Sequence, residues 1–155
     1  MNNDDLIILE KKMNLFNEKY DIYKNNNKIY QLELKEVIYD ILDYFEICLK
    51  RVKKIPIEYE GIISGIKYAN NVKKHSKSIF EHTLKTTALF PSNNLYPSNN
   101  LFPSDFKIWW NELPLDNNDF MNQYKNYKKH LEGQDVKKTL NDIYTIIKSN
   151  YNYYF

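Results

Sequence analysis

Residues 61–86 read GIISGIKYANNVKKHSKSIFEHTLKT, and this stretch determines both the fold class and the candidate site. On a helix of about 100° per residue, its apolar side chains gather on one side and its polar side chains on the other. The sequence therefore predicts an amphipathic helix here, with its apolar face in a core. The apolar set is Ile62, Ile66, Ala69, Val72, Ile79 and Phe80, and the polar set is Ser64, Lys67, Asn71, Lys74, His75, Ser78 and His82.

Two of the chain's three histidines lie on the polar face of this helix. His75 and His82 point away from the apolar face, so they belong either to a solvated surface or to a binding site, not to the core. Seven residues separate them, about 10.5 Å along a helix axis, which is too far for one metal ion without further ligands. The sequence also lacks the common phosphate-loop, dinucleotide and zinc motifs. We therefore predict no metal and no cofactor.

The six residues Asn70 to His75 read NNVKKH. They resemble the R-x-x-x-x-H signature of the HEPN superfamily, helical-bundle proteins that include metal-independent ribonucleases of bacterial toxin–antitoxin and phage-defence systems. Asn71 matches the polar residue that often follows the arginine, and His75 matches the histidine. Asn70 stands where the family has its arginine, so the positive charge that the arginine places near a phosphate is missing.

The resemblance implies a role for each residue of this face. His75 would transfer a proton during RNA cleavage, with Asn71 and Asn70 beside it as the other two motif positions. The nearby residues Lys67, Lys74, Ser78 and His82 would contact RNA or phosphate, and the two lysines could replace the missing charge. The family pattern also implies a homodimer in which the two copies of His75 face a shared cleft.

The charge distribution agrees with a phosphate-bearing partner. Residues 50–85 carry nine lysines and arginines against three acids, a local charge of +6, although the whole chain is only +2. Residues 1–49 carry six lysines against ten acids, and residues 86–155 carry seven of each sign. A basic band of this kind is expected of a nucleic-acid surface, but lysines that complement helix ends would produce the same asymmetry.

Four further amphipathic segments predict the rest of a bundle. One helix begins at Asp4 or Asp5, and a longer one runs from about Lys28 to Lys54, where Pro56 ends it. Asn117 or Asn118 caps a fourth helix that Gly133 ends, and a fifth begins near Asp135. We therefore predict a mainly α, up-and-down bundle of about five helices, forming a single domain over residues 1–155.

Between the third and fourth helices, a hexapeptide occurs three times as LFPSNN, LYPSNN and LFPSDF, at residues 89–106. Proline at every sixth residue excludes a helix or a central strand, so we predict an extended, proline- and aromatic-rich insert at about 87–110. Its rings either pack on the bundle or offer a surface for a protein partner or for bases. The apolar run from Phe106 to Trp110 would be a strand or an anchor that closes the insert.

The single cysteine, Cys48, falls on an apolar helical face and is expected to be a buried thiol. The chain has no run of about 18 apolar residues and no secretory leader, so we predict no membrane contact and a cytoplasmic location. Two functions stay open. The chain is either a HEPN-like protein that binds RNA or a nucleotide, active or inactive as a ribonuclease, or a non-catalytic helical module that binds protein.

Overall fold

The computed structural model describes residues 4–26, 31–74, 79, 85–86, 106–115 and 117–152. Within these ranges the chain forms five α-helices, which confirms the mainly helical bundle predicted from the sequence. A 3₁₀ turn (Asn118–Phe120) leads directly into the fourth helix. The helices are α1 (Asp4–Asn26), α2 (Gln31–Leu49), α3 (Ile57–Lys74), α4 (Met121–His130) and α5 (Val136–Asn150), and the strands are β1 (Lys85–Thr86) and β2 (Phe106–Lys107).

The core forms where the apolar faces of these helices meet. α1 packs on α2, and α5 contacts α1, α2 and α3, so α5 is central to the bundle. Large side chains such as Phe16, Phe45 and Ile143 are completely buried, and each contributes about 1.5–3 kcal/mol relative to an exposed position. Cys48 is also fully buried, as predicted, and burial raises the pKa of its thiol to about 11. This cysteine is therefore a core residue that stays protonated at neutral pH.

The second helix ends earlier than predicted. We expected it to continue to Lys54, but α2 ends at Leu49 and Val52 pairs instead with Tyr151 in an antiparallel bridge. The backbone nitrogen of Lys53 donates to Asn150 O (3.3 Å), and that of Asn152 donates to Arg51 O (2.9 Å). The residues at the end of α5 and just after it therefore form hydrogen bonds with backbone groups of residues 51–53, which would bond within the helix if α2 were longer. A local sequence pattern cannot reveal such a distant partner.

The third helix is shifted relative to the prediction. It begins at Ile57, not at Gly61, because Pro56 precedes its first turn, where the fixed φ of proline suits a helix start. The carbonyl of Pro56 accepts a hydrogen bond from Tyr59 N (2.9 Å).

The predicted helix over 61–86 is also too long. Ile79 lies in a bend, with its carbonyl bonded to Asn111 N (3.1 Å), and Lys85–Thr86 forms β1. At Ile79 and at Lys85–Thr86 the helical pattern is thus overridden by contacts with a distant segment.

Strands β1 and β2 pair antiparallel, with Thr86 opposite Phe106. The two ends of the segment 87–105, which holds most of the predicted insert, are therefore adjacent at this ladder. The segment itself, with the first two hexapeptide copies and most of the third, lies outside the described residues. The prediction that residues 87–110 are extended is tested only from Phe106 onward, where the chain is non-helical.

The apolar run from Phe106 to Trp110 packs on the bundle, as expected of an anchor. Ile108 and Trp110 are buried, and Trp110 Nε1 donates to Thr139 Oγ1 (3.1 Å). The backbone of Trp110 also exchanges hydrogen bonds with the turn between α4 and α5, donating to Gln134 O (3.1 Å) and accepting from Gly133 N (2.9 Å). Both predictions, a strand and an anchor, are confirmed for this run.

The ends of α4 and α5 follow the predicted caps. Asn117 Oδ1 accepts from Asp119 N at the 3₁₀ turn, and Asp135 Oδ1 accepts from Lys137 N at the start of α5, both at 3.0 Å. Gly133 has a φ of 74°, a left-handed conformation in which a side chain would be strained. The turn between the two helices therefore requires this glycine.

The most extensive helix contact is between α3 and α4. The short link between the second and third helices and the spacing of Gly61 and Gly65 predict close packing of α3 on α2, but both glycines face α4 instead. A Cβ on Gly65 would lie 3.1 Å from Tyr127 Cα and 2.7 Å from Leu131 Cδ1, and one on Gly61 would collide with the His130 ring. The missing side chains thus let α4 lie directly against the α3 backbone.

Substituting Gly65 by alanine tests this close approach. Overpacking costs about 1–3 kcal/mol, which exceeds the roughly 1 kcal/mol that alanine gains over glycine inside a helix. We therefore expect Gly65→Ala to lower the free energy of unfolding, measured by urea denaturation followed by circular dichroism. Lys67→Ala, at an exposed position of the same helix, is the control and should change stability little. Equal or greater stability of Gly65→Ala would show that the two backbones are not in contact.

Candidate functional site

A cavity of about 390 Å³ lies between α2, α3 and the start of α4. Its size falls in the range of small-ligand pockets, about 300–1,000 Å³. One part of its wall is apolar and the other is polar and charged. The apolar part consists of Leu42, Leu49, Ile55, Ile66 and Phe120, and the polar part of Glu46, Lys50, Lys67, Asn70, Asn71, Lys74 and Gln123.

Glu46 of α2 is the hub of the hydrogen bonds in this cavity. Its Oε2 atom accepts from Asn70 Nδ2 at 2.6 Å and from Lys74 Nζ at 2.9 Å. Asn70 and Lys74 are four residues apart on α3, so they lie on one side of the helix and can hold the same carboxylate. The three residues therefore fix how α2 and α3 face each other across the cavity.

The pKa of the Glu46 carboxyl is lowered from its ordinary value. The hydrogen bond from Lys74 is the largest cause, and the Lys74 charge, the Asn70 hydrogen bond and the Lys50 charge act in the same direction, against partial burial. Glu46 is therefore ionised at neutral pH. The side chain is still 43% exposed, so the carboxylate can accept further hydrogen bonds from a ligand.

Three lysines surround this single carboxylate. Lys50, Lys67 and Lys74 against Glu46 leave the cavity wall a formal charge of +2. Lys74 is paired with Glu46, whereas neither Lys50 nor Lys67 makes a hydrogen bond or ion pair with any residue that the structure describes. The cavity thus offers ammonium groups that an anion could contact.

Asn70 combines burial with an unused acceptor. The residue is only 3% exposed, and its Oδ1 atom has no hydrogen-bond partner among the described residues. The amide is oriented by its nitrogen, which donates to Glu46. This carbonyl oxygen can accept a hydrogen bond from a ligand or from water.

The structure brings together four of the predicted site residues. Asn70, Asn71, Lys67 and Lys74 all line the cavity, although Asn70 was not on the polar face predicted for this helix. The remaining predicted site residues, His75, Ser78 and His82, lie outside the described residues. Their predicted roles are therefore untested.

The cavity also contains residues that sequence reasoning assigned otherwise or missed. Lys50 was explained as a cation at the end of a longer α2, and Glu46 and Phe120 were not assigned to the site. Glu46 and Lys50 are four residues apart on or just after α2, a spacing that places them on one side of a helix. That spacing was a usable signal, but the register of α2 against α3, which aims Glu46 at Asn70, is not readable from one sequence.

Ser64 was placed on the open polar face, but in the structure α4 covers it. Its Oγ atom accepts a hydrogen bond from Asn126 Nδ2 at 3.0 Å, and the residue is half-buried. Because Gly61 and Gly65 admit α4 to this side, the polar face is accessible only toward the C-terminal end of α3. The accessible part carries Lys67, Asn71 and Lys74.

Among the residues that the structure describes, no cluster of three or more histidine, cysteine, aspartate or glutamate side chains is arranged to hold a metal ion. The described helices also include none with the length and apolar character needed to span a bilayer.

Comparison of the chain with protein-family models, curated proteins and solved structures finds no match. The HEPN resemblance therefore depends on the motif residues and stays a prediction.

The Glu46–Lys74 pair makes a specific prediction about pH. Because the pKa of Glu46 is lower in the folded protein than in the unfolded chain, its contribution to stability is present above the unfolded value of about 4.5 and is lost as the pH falls through the folded value. Glu46→Gln should reduce the free energy of unfolding at pH 7 by less than about 1 kcal/mol, since both partners are half-exposed.

Urea denaturation at pH 7 and pH 3 measures this effect. The difference between Glu46→Gln and the parent should shrink at the lower pH as Glu46 takes up a proton. Glu36→Gln, at an exposed position of the same helix, is the control and should match the parent at both values. A deficit of Glu46→Gln that is the same at both pH values would show that the charge of Glu46 is not involved.

Proposed function

We propose that the protein binds RNA through the cavity between α2, α3 and α4. The observation that supports this proposal best is the group of three lysines around one mostly apolar cavity, two of them without a protein partner among the described residues. Lysine ammonium groups bind phosphate oxygens as point charges, and apolar and aromatic walls accept bases. A single-stranded RNA carries both kinds of group on each nucleotide.

The position of the cavity agrees with this proposal. The three lysines of its wall belong to the basic band of residues 50–85, which has a local charge of +6. The wall itself has a formal charge of +2, so the cavity attracts phosphate at neutral pH even with Glu46 ionised. Lys74 can exchange its contact with Glu46 for a phosphate oxygen, because a half-exposed ion pair contributes little to stability.

RNA cleavage and homodimer formation belong to the proposal only through the HEPN resemblance. Asn70 occupies the arginine position and uses its amide nitrogen to hold Glu46, so it supplies no positive charge to a scissile phosphate. His75 would be the proton-transferring group, in a site shared by two copies of the chain. We accordingly propose binding as the main function, with slow cleavage or none.

The first test of this function is RNA binding by a charge-reversal pair. Lys67→Glu with Lys74→Glu should weaken binding of a labelled single-stranded RNA at least tenfold, and should flatten the dependence of log K on log salt. Removing one pairing of an ammonium group with a phosphate reduces that slope by about 0.7 for a single strand. Fluorescence anisotropy over a salt series measures both quantities.

The control for this pair is Lys11→Glu with Lys129→Glu, which makes the same change in net charge at two exposed positions outside the cavity. The control should bind RNA nearly as the parent does at physiological salt, where charges more than about 8 Å from the RNA are screened. Equal weakening by the two pairs would mean that net charge, and not this cavity, drives binding, and would overturn the proposed site.

The second test concerns cleavage. Asn70→Arg should raise ribonuclease activity above that of the parent chain, because a guanidinium holds phosphate with two donors. Adding His75→Ala in that background should lower activity about a hundredfold or more, the usual scale for a positioned acid or base. Gel analysis of varied RNAs gives the rates, and circular dichroism checks folding. A folded Asn70→Arg protein that cleaves none of these RNAs would end the ribonuclease hypothesis.

A further inference from the structure

Glu46 is the feature of the cavity that phosphate binding does not explain. A carboxylate repels phosphate, so its position between Lys50 and Lys74 weakens an otherwise basic wall. Asn70 and Lys74 both bond the Oε2 atom, at 2.6 and 2.9 Å, which holds the carboxylate in one orientation inside the cavity. The side chain is nevertheless 43% exposed. A fixed and accessible carboxylate among lysines is suited to accept hydrogen bonds from a neutral donor group of the same ligand.

RNA offers two kinds of neutral donor, the 2′-hydroxyl of each ribose and the N–H groups of the bases, and only the N–H groups differ in arrangement among the four bases. Guanine carries an imino N–H next to an amino group, two adjacent donors that match the two oxygens of a carboxylate. Adenine and cytosine each present an amino group beside a ring nitrogen that is an acceptor and repels a carboxylate. Uracil presents one N–H between two carbonyl oxygens. Guanine is therefore the base that fits a carboxylate best.

The rest of the cavity can hold such a unit. Its volume of about 390 Å³ lies in the range of small-ligand sites, and Phe120 and Ile55 give it an apolar wall. Contact between a base and an aromatic side chain tolerates any base, so the apolar wall would not itself select one. Selection would come from the polar group that the base edge meets, which in this cavity is Glu46.

We infer that the cavity binds one guanine nucleotide unit of a single-stranded RNA, with the base edge donating to both oxygens of Glu46. The neighbouring phosphates contact Lys50, Lys67 and Lys74, so Lys74 leaves Oε2 and frees an acceptor position for the base. This inference rests on the proposed RNA-binding function and adds a base preference to it. Glu46 is then the residue that determines specificity, and the lysines supply affinity that is independent of sequence.

The test uses four labelled uridine 12-mers that differ only at one central position, which is guanosine, adenosine, cytidine or uridine. Fluorescence anisotropy with the full-length protein gives the dissociation constant of each. The guanosine oligomer should bind about 5- to 150-fold more tightly than the all-uridine oligomer, the discrimination typical of one good two-bond contact to a base. A single guanosine per strand avoids structures formed by guanine-rich RNA.

Glu46→Gln should reduce the preference for guanosine to within about twofold, since an amide has one acceptor oxygen and one donor nitrogen where the carboxylate has two acceptors. Binding of the all-uridine oligomer should be unchanged or tighter, because a negative charge has been removed. Lys67→Glu should weaken all four oligomers by a similar factor and leave the preference in place. Glu36→Gln, outside the cavity, should behave as the parent does.

The outcomes separate the two proposals. Salt-dependent binding of all four oligomers with equal affinity would overturn the guanine inference and leave the proposed function standing. A guanosine preference that survives Glu46→Gln would remove Glu46 from the recognition of the base. If no oligomer binds in a way that the cavity lysines affect, the proposed function fails and the inference fails with it.

Discussion

The absence of two side chains on α3 sets the arrangement of the whole site. Gly61 and Gly65 let α4 approach until Tyr127 Cα would be 3.1 Å from a Cβ on Gly65. The start of α4 then reaches the cavity, because Phe120 and Gln123 precede Tyr127 by one to two helical turns. With α4 farther away, the cavity would lack its third wall.

In this protein the strong interactions stabilise the fold, and a weak ion pair lies at the candidate site. Apolar burial in the bundle and the backbone hydrogen bonds of Trp110 to the turn between α4 and α5 hold the fold. The ion pair of Glu46 with Lys74 is half-exposed and adds at most about 1 kcal/mol, so it can be exchanged without threatening stability. A binding site that must give up internal contacts when a ligand arrives is best built from pairs of this kind.

The parts of the fold that could be predicted from the sequence are those fixed by neighbouring residues. The start of α5 followed from Asp135 and an apolar residue every three or four positions, and the turn before it from Gly133. The errors at the ends of α2 and α3 involve distant partners, whereas the early start of α3 at Ile57 follows from its neighbour Pro56. α2 ends at Leu49 because the chain near Tyr151 pairs with Val52. Lys85–Thr86 is not helical because it pairs with residues about twenty positions later. Local periodicity contains no information about such pairs.

The candidate site likewise combines residues that could be predicted from a single helix with residues that could not. Lys67, Asn71 and Lys74 could be assigned together because they share one face of one helix, whereas Glu46 comes from a second helix whose register the sequence does not specify. Glu46 also changes how Asn70 is interpreted. The sequence presents Asn70 as a mismatch at the arginine position of the motif, whereas in the structure its amide nitrogen holds the Glu46 carboxylate at 2.6 Å.

With asparagine at position 70, the positive charges of the cavity wall are the ammonium groups of Lys50, Lys67 and Lys74. Such groups end flexible side chains and accept phosphates in many positions, whereas cleavage requires a donor fixed where charge develops in the transition state. This difference in rigidity is the physical reason to expect RNA binding as the main function of the native chain, with slow cleavage or none, and faster cleavage after a guanidinium is restored.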